Sequence, residues 1–137
     1  MEFADLDASD VALFERAGAV LTAAHHPQRH QVAAAMRGGS GEIYVGLHLG
    51  SRRINVCAES SALASARIAG EDTITTAVAV CVGAGDAIIV TNPCGVCREL
   101  ISDYSPDARV WLTRPGDDTV VAARALDLLP EKSVRRW

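Results

Sequence analysis

Two short segments constrain this chain more than anything else in it. Cys57-Ala58-Glu59 and Pro93-Cys94-Gly95-Val96-Cys97 each open a predicted helix directly after an extended segment or loop. Free N–H groups and the positive end of the helix dipole favour thiolate over thiol at such a position, and the thiolate is the form that binds metal. Cys94 and Cys97, three residues apart, share one helix face and can take a single ion without bending the backbone. With Cys57 they make three ligands. Three protein ligands and one open position is the coordination of a catalytic zinc, whereas a structural zinc normally has four. The remaining cysteine, Cys81, sits in the apolar run 77–83 and reads as a small core hydrophobe. Histidine is the alternative route to a closed shell: His48 precedes the first motif by nine residues, and His25, His26 and His30 lie in a predicted loop.

Glu59 separates these readings. Two residues after a ligand on a helix, it points away from the ion's sulfur ligand and is better placed beside a water on the open position. A carboxylate there can take a proton from that water and return it to a leaving amine. A lone Cys-x-x-Cys also occurs in redox proteins and structural zinc sites. The pairing of Cys-Ala-Glu with Pro-Cys-Gly-Val-Cys at two helix starts is far more specific.

The 137 residues, 49% of them hydrophobic, fit one domain spanning 1–137. Val11–Ala24 carries apolar residues at helical spacing, with Asp7 or Ser9 as cap. Val32–Met36 and Ile43–Leu49 read as strands of a hairpin, with Tyr44, Gly46 and His48 on one face of the second. Asn55 is the expected cap of a helix over Val56–Ala69 that ends at Gly70. Thr76–Val82 and Ala87–Thr91 read as strands buried on both faces, Pro93 as the first turn of a helix reaching Asp103, Arg109–Thr113 as a strand and Ala125–Leu129 as a short helix. Helices alternating with strands after a hairpin imply an α/β domain whose mixed sheet is covered on both faces. A net charge of -4 disfavours nucleic acid as a partner. The absence of a long apolar stretch and the acidic start Met1–Asp7 imply no membrane association and a cytoplasmic protein.

The two motifs, together with the strand Val32–Ala35, Gly46, the continuation Cys97-Arg98-Glu99 and the late Leu128-Leu129-Pro130, resemble the cytidine deaminase superfamily. The short spacing before the first motif is similar to its blasticidin S deaminase branch. The resemblance implies a three-layer α/β/α fold with a five-stranded mixed sheet, one Zn2+ per subunit, and a homotetramer whose neighbouring subunits complete each active site. It implies hydrolytic deamination of a small-molecule aminopyrimidine nucleoside, cytidine-like or blasticidin S-like, to the uracil form with release of ammonia. Glu59 would then be catalytic and protonate N3 of the ring, the backbone of Ala58 would hold the base edge, and the Pro93 carbonyl would orient the leaving amine. Where cytidine deaminases carry a ribose-binding Asn-x-Glu, this chain has His48-Leu49-Gly50. His48 is therefore either a sugar contact or a packed residue. His30, at the position of a family aromatic, is either a stacking partner for the base or a solvated loop residue, and Trp137 is a candidate cover for a neighbouring site. Relatives offset the negative thiolate cluster with an arginine where this chain has Ser60 or Val96, which leaves Arg52, Arg53, Arg98 and the helix dipoles for that role. Two further readings are a deaminase of the same fold acting on another aminated base, within nucleic acid or as a purine, and a non-catalytic zinc-stabilised assembly protein.

Overall fold

The computed structural model describes residues 3–133, so Trp137 lies outside the described residues. In chain order the elements are β1 (Phe3–Ala4), α1 (Ala8–Ala24), β2 (Val32–Gly38), β3 (Ile43–Leu47), β4 (Leu49–Gly50), β5 (Asn55–Val56), α2 (Ala58–Ile68), β6 (Ile74–Val82), β7 (Ile88–Val90), α3 (Gly95–Tyr104), β8 (Arg109–Thr113) and β9 (Val120–Arg124). The main sheet runs β1-β9-β8-β6-β2-β3, with β7 also paired to β6, while β4 and β5 form a separate ribbon. Among the described residues, only β6 and β8 pair in parallel. The architecture is thus α/β with a mixed sheet, as expected.

Alternation along the central strands explains the three layers. Ala33, Ala35, Val78 and Val80 face α1, which presents Leu13, Ala17 and Leu21. Ala34, Met36, Ala77 and Ala79 face the other way, onto Ala58, Ala62 and Leu63 of α2 and Ile101 of α3. The alanine run of β2 lets helices approach closely from both sides.

Several details differ from the sequence reading. Among the described residues the sheet has seven strands, not five. β9 has no clear signal in the sequence because its apolar run is short and merges into the next apolar segment; the Arg114 N–H donates to the Thr119 carbonyl and closes a hairpin from β8. That following segment is the expected short helix, of 3-10 type and one residue shorter, Ala125–Leu128. α1 begins at Ala8 because Asp7 forms a capping box with Asp10: each carboxylate accepts a backbone N–H from the other's residue. α2 begins at Ala58, with Cys57 and not Asn55 at its N-cap position and no side-chain capping bond, and α3 begins at Gly95, so Pro93 precedes its first turn. β7 is not buried on both faces; Ile89 is 46% exposed. Among the described residues, no helix is long and apolar enough to cross a membrane.

β2 runs antiparallel to both β3 and β6, so those two strands are parallel to each other. The chain leaving each of them returns as a helix on the same face of the sheet, α2 after β3 and, by way of β7, α3 after β6. That topology is what allows two motifs distant in sequence to meet.

Candidate active site

One rung of the sheet sets the meeting point. Gly46 pairs with Ala34, Ala34 pairs with Ala79, and the Thr91 N–H donates to the Ala79 carbonyl at 2.9 Å. These small residues let the starts of both helices come down onto the sheet. At Gly46 there is no room even for a methyl group: an added Cβ would lie 2.2 Å from the Ala58 carbonyl oxygen and 2.4 Å from the Ala62 nitrogen.

Cys57 is the N-cap of α2, Cys94 the N-cap of α3, and Cys97 follows in the first turn of α3. Their sulfurs lie within 4.8 Å of one another and form the metal-competent cluster among the described residues; no histidine joins it. Cys57 Sγ and Cys94 Sγ are 3.9 Å apart. Zinc–sulfur bonds of about 2.3 Å at tetrahedral angles place sulfurs about 3.8 Å apart, so the cluster fits zinc. Cys81 stays apart from it, at the end of β6.

Electrostatics point the same way. Burial pushes the Cys57 thiol up, and burial followed by the charge of Glu59 pushes Cys97 up steeply. Burial also raises Cys94, but the backbone N–H groups of Cys97 and Val96 and the neighbouring thiols outweigh it and hold Cys94 below its ordinary value. Three thiols and a carboxylate crowded in this way are poorly satisfied alone. A dication among them deprotonates the thiols and removes the conflict.

Glu59 is only 6% exposed, and burial raises its carboxyl above the usual carboxylate range against the opposing pull of the Cys97 thiol. It opens into a cleft of about 130 Å³ lined by His48, Cys57, Ala58, Thr91, Asn92 and Cys94, among others. A larger groove of about 500 Å³ lies on the α1 face beside Phe14 and Trp111, but it holds no cluster of metal-ligating groups. Chemistry, not size, selects the smaller cleft.

The expected binding residues divide. Ala58 lines the cleft and Pro93 lies beside it, one residue before Cys94. The Pro93 carbonyl accepts the Arg98 Nε–H at 2.8 Å, which leaves its second lone pair for another donor. His48 lines the cleft, but both of its ring nitrogens are engaged. Nδ1 accepts the Gln31 N–H at 3.0 Å, so Nε2 carries the ring proton and donates it to Asn55 Oδ1 at 2.9 Å. His30 is not among the residues lining the cleft; its Nδ1–H donates to the His48 carbonyl at 2.9 Å. Of the three arginines considered as counter-charges, Arg52 and Arg53 are exposed and Arg98 is half-buried against the second motif.

Asn55 was expected to cap α2. Its side chain is instead spent on His48, and the pair ties the β5 ribbon to the cleft wall. A His48→Phe variant would leave the Gln31 N–H and the Asn55 carboxamide without their partner, and we expect a stability loss of about 2 kcal/mol. Urea unfolding checks this; an unchanged midpoint and slope would remove His48 from that structural role. Asn92 carried no signal in the sequence, because an isolated asparagine before a proline reads only as a turn.

Comparison with known proteins agrees with this geometry. A family model described as the cytidine and deoxycytidylate deaminase zinc-binding region matches residues 8–113. A blasticidin-S deaminase from Bacillus cereus is 36% identical over 141 residues, covering 98% of this chain and 99% of that protein. A cytidine deaminase from Burkholderia pseudomallei superposes with a TM-score of 0.72 at 30% identity, over 88% of this chain and 96% of the other. The cytidine deaminase from Bacillus anthracis, at 20% identity, shares the fold with a TM-score of 0.75 over 90% of this chain and 88% of its own. Sequence, fold and the three-sulfur cluster therefore lead to one assignment: the chain belongs to the cytidine and deoxycytidylate deaminase family, carries that family's zinc-binding region, and is a hydrolytic deaminase.

Proposed function

We propose that this protein deaminates a cytosine-type nucleoside or nucleoside antibiotic, cytidine-like or blasticidin S-like, to the uracil form with release of ammonia. The observation that carries the reading is a buried glutamate, Glu59, sharing a small cleft with three clustered cysteine sulfurs. The near full-length similarity to a protein named blasticidin-S deaminase supports the substrate class.

In this reading Cys57, Cys94 and Cys97 hold one zinc ion per subunit, and when bound the ion lowers the pKa of a water at its open position. Glu59 would take a first proton from that water and deliver it to N3 as the water oxygen adds to C4, then take the second proton from that oxygen and give it to the amine as the C4–N bond breaks and ammonia leaves. Burial raises its carboxyl, the direction that suits a group which must both accept and release a proton. The backbone of Ala58, at the first residue of α2, holds the base edge, and the free lone pair of the Pro93 carbonyl accepts from the amine. His48 supplies a wall of the cleft and keeps Asn55 in place, and His30 supports it from behind. The charge of -4 and the small cleft favour a free nucleoside over nucleic acid.

The same face of the molecule supports a reading of the assembly. Leu49 and Val56 are cross-strand partners on the β4–β5 ribbon, Ile54 adjoins them and Val96 lies in the first turn of α3; all four are exposed beside the two motifs. Apolar surface next to a polar site favours coverage by a second copy, and we propose a cytoplasmic homotetramer whose subunits complete one another's clefts.

One experiment addresses both halves. Zinc-loaded protein is sized by light scattering and assayed, by ultraviolet absorbance and ammonia release, on cytidine, deoxycytidine, blasticidin S, adenosine and guanine. We expect a particle of four chains and turnover confined to the cytosine-bearing compounds. Turnover of the purines alone, or of none, overturns the substrate reading, and a monomer of full activity overturns the assembly.

A further inference from the structure

The segment that delivers Cys94 leaves the sheet at an unusual place. β6 pairs with β8 at Thr76 and Ala77 and with β7 from Val80 to Val82, so β7 wedges in where β8 diverges from β6. The last backbone bond of this wedge is the Thr91 N–H to the Ala79 carbonyl. Beyond it, the chain 92–94 has no strand partner, although it carries both the Pro93 carbonyl and a metal ligand.

A side chain takes over the pairing. Asn92 Oδ1 accepts the Thr113 N–H at 2.7 Å, and Asn92 Nδ2 donates to the Thr113 carbonyl at 3.0 Å. One carboxamide thus satisfies both backbone groups of the last residue of β8, as a neighbouring strand's peptide unit would. Next to it the Thr113 hydroxyl donates to the Val90 carbonyl at 2.9 Å. Asn92 also lines the cleft, two residues before Cys94.

We propose that Asn92 is a positioning residue for the metal centre: its carboxamide clamp to Thr113 fixes the 92–94 segment, and through it the place of Cys94 Sγ and of the Pro93 carbonyl. The proposal deepens the reading above and rests on its zinc site, not on its substrate. A two-point clamp resists rotation as well as translation, and it anchors the segment to β8, whereas the bonds from Arg98 Nε to the Pro93 carbonyl and from the Arg98 N–H to the Cys94 carbonyl tie it only to α3, the element it must itself place. An unclamped Cys94 would swing out of the 4.8 Å cluster more often, and each excursion exposes the ion to competitors. Outer partners that orient a ligand typically change metal affinity or activity by about 10–100-fold when removed.

The test is the rate of zinc release from the holoenzyme to a chromophoric chelator, read beside the thermal midpoint. Asn92→Ala loses both bonds. Asn92→Asp keeps the size but sets a carboxylate oxygen against the Thr113 carbonyl. Thr113→Ala keeps the clamp, which uses only the Thr113 backbone, and removes the adjacent hydroxyl tie. We expect both Asn92 variants to release zinc about tenfold faster or more, and Thr113→Ala to release it at the wild-type rate. A clamp that merely stabilises the sheet would lower the midpoint of the Asn92 variants and leave their zinc release unchanged, and that result overturns the proposal. So does equal acceleration in Thr113→Ala. Because release is read without substrate, a wild-type protein inactive on every nucleoside would sink the proposed activity and leave this inference standing.

Discussion

Zinc-loaded Glu59→Gln is expected to lose turnover by about a thousandfold, within the range general acid–base groups supply, while keeping its zinc and its fold. Glutamine matches glutamate in size and retains an acceptor oxygen, but it cannot take a proton from water or hand one to a leaving amine. Glu59 is only 6% exposed, so the wild-type carboxylate bears a desolvation cost that the neutral amide avoids. Stability is therefore expected to hold or rise slightly, which separates lost chemistry from lost structure. Zinc content, thermal midpoint and kcat measured on the same preparation decide the matter. Turnover within tenfold of wild type would mean that the proton moves by another route and that the assigned role of Glu59 is wrong.

The second large effect belongs to a residue with no side chain. Gly46→Ala would drive a methyl group into the Ala58 carbonyl oxygen at 2.2 Å and the Ala62 nitrogen at 2.4 Å. Both obstacles are backbone atoms within α2, so no rotamer change relieves the clash. Either the helix start lifts off the sheet, carrying Cys57 and Glu59 with it, or β3 bends away. We expect a loss of about 3 kcal/mol or more, equivalent to a fall of roughly 10 °C in Tm for a chain of this size, together with weakened zinc binding. Gly95→Ala is the control, since nothing lies within 4 Å of its added Cβ. There the helical position favours alanine, and stability is expected to stay level or rise by about 0.5 kcal/mol. Differential unfolding of the two variants tests this, and equal midpoints would show that α2 does not need the close approach.

Much of the frame was legible because local rules act within a few residues. The helical spacing of α1 and the β-branched runs of β3, β6 and β8 each announce a period or a propensity. The misreadings arose where a residue had two possible uses. Asn55 is a good cap by type, yet its carboxamide binds His48, and Cys57 takes the cap position. Val120–Arg124 has strand composition, but its pairing to β8 depends on a hairpin whose turn lies outside the apolar pattern. β1 and the β4–β5 ribbon are two-residue strands defined only by their partners. At the site, Cys57, Glu59, Cys94 and Cys97 were legible from residue type and spacing at helix starts, and they do converge. The state of His48 and the part played by Asn92 were not, because the bonds of both run to residues remote in the chain, Gln31 and Thr113.

The sequence by itself determined which atoms could perform the chemistry: three sulfurs and a carboxylate, each in the first turn or at the cap of a helix, where local backbone geometry sets their direction. Tertiary structure alone decided that they share one cleft. β2 lies between two parallel strands, and its rung Gly46–Ala34–Ala79 is small enough for two helix starts to settle on it. Ligand chemistry is a property of side chains and their near neighbours, whereas a distance between segments 37 residues apart is fixed by strand register and packing, which no short stretch of chain encodes.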